Sequence, residues 1–164
     1  MLGNTTTENL LELSATIRAR ADFERARRKA ALNNLLAALA GAPRRRRLAV
    51  LDTIPSGGIA YRGIRQVPVA CIIGTLNREH DFDRDFQPTQ SHTRQRWERL
   101  AAAAIQGETL PPVQLVQVGD DYYVKDGHHR VSVAHTQGIE FLDAEVVEYL
   151  PRTNAPLCAC PLHR

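Results

Sequence analysis

Apolar residues recur at helical spacing over the first forty positions and then mostly in short, strand-like runs. Between residues 8 and 40 the chain is rich in Ala, Leu, Arg and Glu and free of Pro and Gly, with Leu10, Leu13, Ile17, Leu32, Leu35 and Leu39 on a helical period. This predicts one long helix, ended by Gly41 and Pro43. Arg18, Arg20, Arg25, Arg27, Arg28 and Lys29 charge more than one face of its middle. The expectation is therefore that the two leucine-bearing ends pack and the middle stays wet.

After a short strand or helix start at residues 48–51, the Pro-Ser-Gly-Gly run at 55–58 breaks regular structure. Residues 67–73 read as a buried strand by their β-branched content, with Pro68 near its start, where a missing N–H is tolerated. Residues 75–91 form a polar loop. A helix over 93–106 follows from the spacing of Trp97, Leu100, Ala101, Ala104 and Ile105, with Ser91 or Thr93 as cap and Gly107 as stop. Residues 113–118 and 121–125 make a hairpin about Gly119-Asp120, a helix opens at His128 and closes at Gly138, and 141–149 is a last strand. The predicted class is α+β: a small mixed sheet with packed helices, preceded by a long basic helix. The predicted divisions are an arm at 1–47, a linker at 48–62, a domain at 63–150 and a tail at 151–164.

At 164 residues, 43% hydrophobic and 24% charged, the chain has the composition of an ordinary soluble protein. It lacks an apolar run of membrane-spanning length and a signal-like apolar block, so a cytoplasmic location without a membrane partner is expected. Charge is unevenly spread. Residues 1–47 hold ten Lys/Arg against four Asp/Glu, and residues 48–164 hold eleven against fourteen. The basic arm suggests a polyanion such as DNA, and a solvated basic helix accounts for it nearly as well. Arg44, Arg45, Arg46 and Arg47 are the candidate phosphate contacts; without interleaved aromatics, binding there would be salt-sensitive and not sequence-specific. Cys71 is expected to be buried, Cys158 and Cys160 lie in the tail, and an odd count predicts no structural disulfide.

The chemistry concentrates in residues 122–138, YYVKDGHHRVSVAHTQG. A glycine at a strand-to-helix turn lets backbone approach a ligand, and the helix start offers N–H groups and partial positive charge to a phosphate. Arg130 can fork onto phosphate oxygens, and His128 and His129 can donate hydrogen bonds or move a proton. The plainer reading has Asp126 cap the helix and the histidines solvated. A phosphate beside Asp126 calls either for a cation, with Mg2+ bridging Asp126 and phosphate oxygens, or for Asp126 to face away. In the 75–91 loop, Glu79, His80 and Asp81 are candidates to reach the Gly127 turn, with Glu79 or Asp81 as a catalytic base. Arg94 and Arg96, in a helical first turn where the dipole gives them no help, would welcome an anion.

Asp126-Gly127-His128-His129-Arg130, with the preceding PPVQLVQVGDDYYVK and the following VSVAHTQGIEFLDAEVV, resembles the ParB/sulfiredoxin superfamily, in particular its small ParB-like N-terminal domains, over about residues 64–149. The resemblance implies that 67–73 is the first core strand, that the domain begins near Gly63, and that a helix bearing Arg94 and Arg96 lies beside a nucleotide pocket. Sulfiredoxins have a G-C-H-R motif whose cysteine does the chemistry. Here His128 stands in its place, so sulfinic-acid reduction is not expected. ParB partitioning proteins have a G-E-R-R-like motif, bind a cytidine nucleotide and read DNA through a following helix-turn-helix domain, which is not seen here. The D-G-H-x-R form looks closer to the free-serine kinases of the superfamily. The expected function is a nucleotide-binding domain for ATP, ADP or CTP with Mg2+, with possible hydrolysis or phosphoryl transfer and DNA association through the arm. The alternatives are a free amino-acid kinase and a non-catalytic DNA-associated adaptor, and the long helix is a candidate homodimer contact.

Overall fold

The structure, a computed structural model, describes residues 4–41, 48–51, 57–76 and 80–150. The elements are α1 (Asn4–Leu39), β1 (Ala49–Val50), β2 (Ile59–Pro68), β3 (Ile72–Thr75), α2 (Arg94–Ile105), β4 (Val113–Val118), β5 (Asp121–Asp126), α3 (His128–Gln137) and β6 (Phe141–Tyr149). The strands form one six-stranded mixed sheet in the order β1-β3-β5-β4-β6-β2. The expected α+β architecture is the one observed.

Local chemistry explains most of these joints. Gly119, at φ 64°, turns β4 into β5 as an antiparallel hairpin, and Gly138, at φ 69°, ends α3. β1, β3 and β5 are parallel neighbours, so their carboxyl ends lie on the same side of the sheet. β6 pairs parallel with β4 and antiparallel with β2, whose register shifts between Tyr61 and Gly63. Val67, Val113, Leu115, Val124, Val131, Ala144 and Val146 form the centre of the sheet's core.

Three sequence expectations need correction. Residues 67–73 do not form one strand: β2 ends at Pro68, a single 3-10 turn covers Val69–Cys71, and β3 starts afresh at Ile72. The proline cannot donate to a ladder, so the chain steps across the sheet there. The expected linker at 48–62 also contributes β1 and the first residues of β2 to the sheet. Cys71, buried as expected, is disulfide-bonded, against the expectation of no disulfide. Cys158 and Cys160 lie outside the described residues, as do Arg44, Arg45, Arg46 and Arg47.

The long helix is turned inside out relative to its expected packing. Its middle is the buried part: Ala15, Ala19, Phe23, Ala26 and Ala30 are all at 2% exposure or less. Phe23 meets Trp97 of α2 edge-on at 5.4 Å, and the small alanines around it let the two helices lie close. The arginines flank this seam. Arg94 ties α2 to α1 through Glu24 at 2.8 Å, with its guanidinium 5.4 Å from the centre of the Phe23 ring. Leu10, Leu13, Ile17, Leu32, Leu35 and Leu39 are left exposed.

Candidate functional site

The carboxyl ends of β3 and β5 meet at the start of α3. Thr75, the last residue of β3, pairs with Val124 of β5, and three residues later Gly127 turns the chain at φ 96° and ψ 21°. An ideal Cβ at residue 127 would come 2.7 Å from Cγ1 of Val113 and 3.0 Å from Nη2 of Arg130. Both the left-handed backbone and the close approach therefore require glycine. α3 begins at His128 with no side-chain cap, so Asp126 does not cap it.

The three side chains that follow the glycine diverge. His128 is buried, its Nε2 2.7 Å from the Thr75 hydroxyl and its ring roughly parallel to Phe82 at 6.3 Å. His129 meets the same Phe82 edge-on at 5.4 Å. Arg130 turns toward the segment leading into β4, where Nη1 donates to the carbonyl oxygens of Pro111 and Pro112, the latter at 2.7 Å. Its Nη2 donates to Oδ2 of Asp126 at 3.0 Å. The imidazoles thus share an aromatic wall, while the guanidinium braces the turn from the other side.

Burial lowers the Arg130 pKa; the Asp126 carboxylate opposes this, and the positive charge of Arg96 adds to it. Arg96 is therefore close enough for the two cations to repel. Exposed on α2, it makes no ion pair among the described residues. Arg94 is already committed to Glu98, at 2.7 Å, and to Glu24.

The loop lies against this turn through Phe82. Asp81 has Oδ1 3.8 Å from Nε2 of His92, and its carbonyl accepts the Thr89 N–H at 3.0 Å. His80 offers its carbonyl to the Thr89 hydroxyl at 2.8 Å. Glu79 lies outside the described residues. Asp126, the candidate magnesium ligand, spends an oxygen on a guanidinium, and no group of three His, Cys, Asp or Glu side chains among the described residues could hold a metal.

Two members of the site escaped sequence reasoning. Thr75 fixes His128, and the Phe82 ring packs against both histidine rings. An aromatic residue embedded in a charged loop was the available signal for Phe82, since solvation gives no reason for it. Nothing local marks Thr75, because its partner lies 53 positions away.

Among solved structures, the chain is similar to the crystal structure of sulfiredoxin from Arabidopsis thaliana, with a TM-score of 0.41 and 20% identity, covering 53% of this chain and 86% of that one. No protein-family model and no curated protein sequence matches the chain. No helix among the described residues is long and apolar enough to cross a membrane.

Proposed function

We propose that this chain is a ParB/sulfiredoxin-like domain that binds the phosphates of a nucleotide at the start of α3. One observation carries the reading: two adjacent parallel strands end beside a glycine-initiated helix that no side chain caps, with Arg96 and Arg130 near enough to repel. Ligands of sheets with parallel strands gather at the strands' carboxyl ends, and first-turn N–H groups with the helix dipole favour an anion. In this reading Gly127 admits the phosphate, Arg96 reaches it from α2, and Arg130 holds the turn in shape and adds charge behind it. Magnesium travels with the nucleotide's own phosphates. In this reading His129, edge-on to Phe82, assists a hydrolytic or phosphoryl-transfer step, with Asp81 or Glu79 as the base in a free amino-acid kinase.

A thermal-shift series with ATP, ADP, CTP and GTP, each with and without Mg2+, tests this for the wild type and Arg96→Ala. Ligand at a hundred times its Kd adds about 2.7 kcal/mol, which raises Tm by several degrees. The expected result is a rise with at least one nucleotide, reduced in Arg96→Ala without a change in the unliganded Tm. No rise with any nucleotide at millimolar concentration overturns the reading.

A DNA-associated adaptor is the second reading, favoured by the exposure of Arg18, Arg20, Arg25, Arg28 and Lys29 along α1. Its signature is duplex binding that weakens steeply with salt, survives Arg96→Ala and disappears when Arg44, Arg45, Arg46 and Arg47 are neutralised.

A further inference from the structure

The sulfur of Cys71 is held in a disulfide, and the chain's other cysteines are Cys158 and Cys160. Within one chain, the bond from residue 71 therefore goes to one of that pair, and one of the three thiols is left over. Cys71 is 5% exposed, in the same core cluster as Val67, Ile72, Tyr122 and Val124. It closes the 3-10 turn between β2 and β3, outside the strand ladders, and Thr75, which holds His128, follows four positions later. The anchor is thus a rigid part of the fold, whereas both candidate partners follow its last strand.

We propose that this bond is a redox latch: Cys71 ties residues 151–164 to the start of β3 through Cys158 or Cys160, and a dithiol releases them. Connectivity gives the latch its strength. It closes a loop of about 90 residues that holds β3, α2, β4, β5, α3 and β6, and a cross-link over so long a loop removes much of the freedom of the unfolded chain. The cysteine count makes it reversible. A permanent disulfide uses cysteines in pairs, but here a third thiol stands two positions from the bonded one in the Cys158-Ala159-Cys160 run. As a thiolate, it attacks that neighbouring sulfur: the bond to residue 71 breaks, a transient Cys158–Cys160 bond forms, and the proton ends on the sulfur of Cys71. An outside dithiol then reduces the transient bond, becoming a disulfide itself while Cys158 and Cys160 each take up a hydrogen. Direct attack from outside is slower, because Cys71 is buried and a thiolate expelled into apolar surroundings is a poor leaving group.

Tryptic mapping of the full chain without reductant tests the latch, after equilibration with oxidised dithiothreitol and alkylation of free thiols. Residues 66–78, which contain Cys71, are expected to be joined to residues 153–164, which contain both other cysteines, and the joined pair should carry a single alkyl group. Reduced dithiothreitol should separate the two peptides and lower the Tm of the intact chain by roughly 10 °C, the loss for a loop and a chain of this size. Cys71→Ala should abolish both the link and the response of Tm to reductant. Cys158→Ser combined with Cys160→Ser should do the same with Cys71 still in the core, which separates loss of the bond from a change in packing. A Cys158–Cys160 bond as the only disulfide, three alkylated thiols after oxidation, a link confined to a covalent dimer, or a wild-type Tm indifferent to reductant would each overturn the proposal.

Discussion

The two ends of α3 rest on the same loop in the same way, yet only one of them was written in the local sequence. At the amino end, Phe82 lies roughly parallel to His128; at the carboxyl end, Phe86 stacks on His135 at 5.2 Å with 9° between the ring planes. The loop that supplies both aromatics is caged from within. Oδ1 of Asp83 accepts the N–H groups of Asp85 and Gln87 at 2.9 and 2.8 Å, and Oδ2 accepts the Asn33 amide of α1 at 3.2 Å. Phe86 is bent to φ 55°, an uncommon conformation for a side-chain-bearing residue, and is held there by burial on every side. The comparison teaches that a segment polar in composition can be part of the core, provided that a few of its residues are not polar.

The largest effect should come from the loop. Phe82 is 1% exposed and touches both histidines of the turn, so Phe82→Ala should cost about 4 kcal/mol, the range for emptying a buried aromatic site. Denaturant unfolding would measure it. A loss below about 1 kcal/mol would mean that this part of the loop is not built into the core and that the amino end of α3 stands unaided.

Gly127→Val comes next, at roughly 3 kcal/mol, combining left-handed strain with a forced shift of Val113. Gly127→Ala should cost less, since its Cβ meets Val113 and keeps the strained φ but adds no γ-methyl groups. An equal loss in both would show that the Cβ contact and the backbone conformation together set the requirement.

Arg130→Ala is expected to cost about 2 kcal/mol, because the carbonyls of Pro111 and Pro112 lose a charged donor. Arg130→Lys should recover only part, since an ammonium cannot reach two carbonyls and a carboxylate in one plane. A fully stable Arg130→Ala would release this residue from its bracing role and return it to ligand binding alone.

The legibility of this chain follows the range of the interactions. The hairpin at Gly119, the elbow at Gly127 and the stop at Gly138 are decided by backbone conformations that only neighbouring residues specify, and the sequence announces them. Asp126 and Arg130 were read as site residues four positions apart, but what Arg130 grips comes from residues 111 and 112. The burial of α1 was read backwards for a similar reason. Leucine spacing is visible along a helix, whereas the fit of Ala19 and Phe23 to Trp97 depends on a second helix seventy residues away. Thr75, Phe82 and Asn33 belong with these: each acts through a partner that no local pattern names.

The smallest expected effect separates the ends of α3 by pH. Nε2 of His135 is buried without a hydrogen-bond partner among the described residues, and burial lowers the pKa of its imidazole; Asp85 opposes the shift and Lys29 adds to it. A histidine with a lowered folded pKa takes up its proton more readily when unfolded. Its stabilising contribution is therefore complete above the ordinary imidazole value of about 6.5 and declines as pH falls from there toward the folded pKa. The slope is at most one proton, about 1.4 kcal/mol per pH unit. Asp83 acts with the opposite sign: burial raises its carboxyl pKa, so its share is lost as pH rises through that raised value. Comparing Tm between pH 7 and pH 5 for the wild type and His135→Gln isolates the histidine, because Asp83 is common to both. The wild type should lose more stability on acidification than the variant. Parallel curves would show that the Phe86 end of α3 accepts a charged ring, and that the likeness between its two ends is one of shape only.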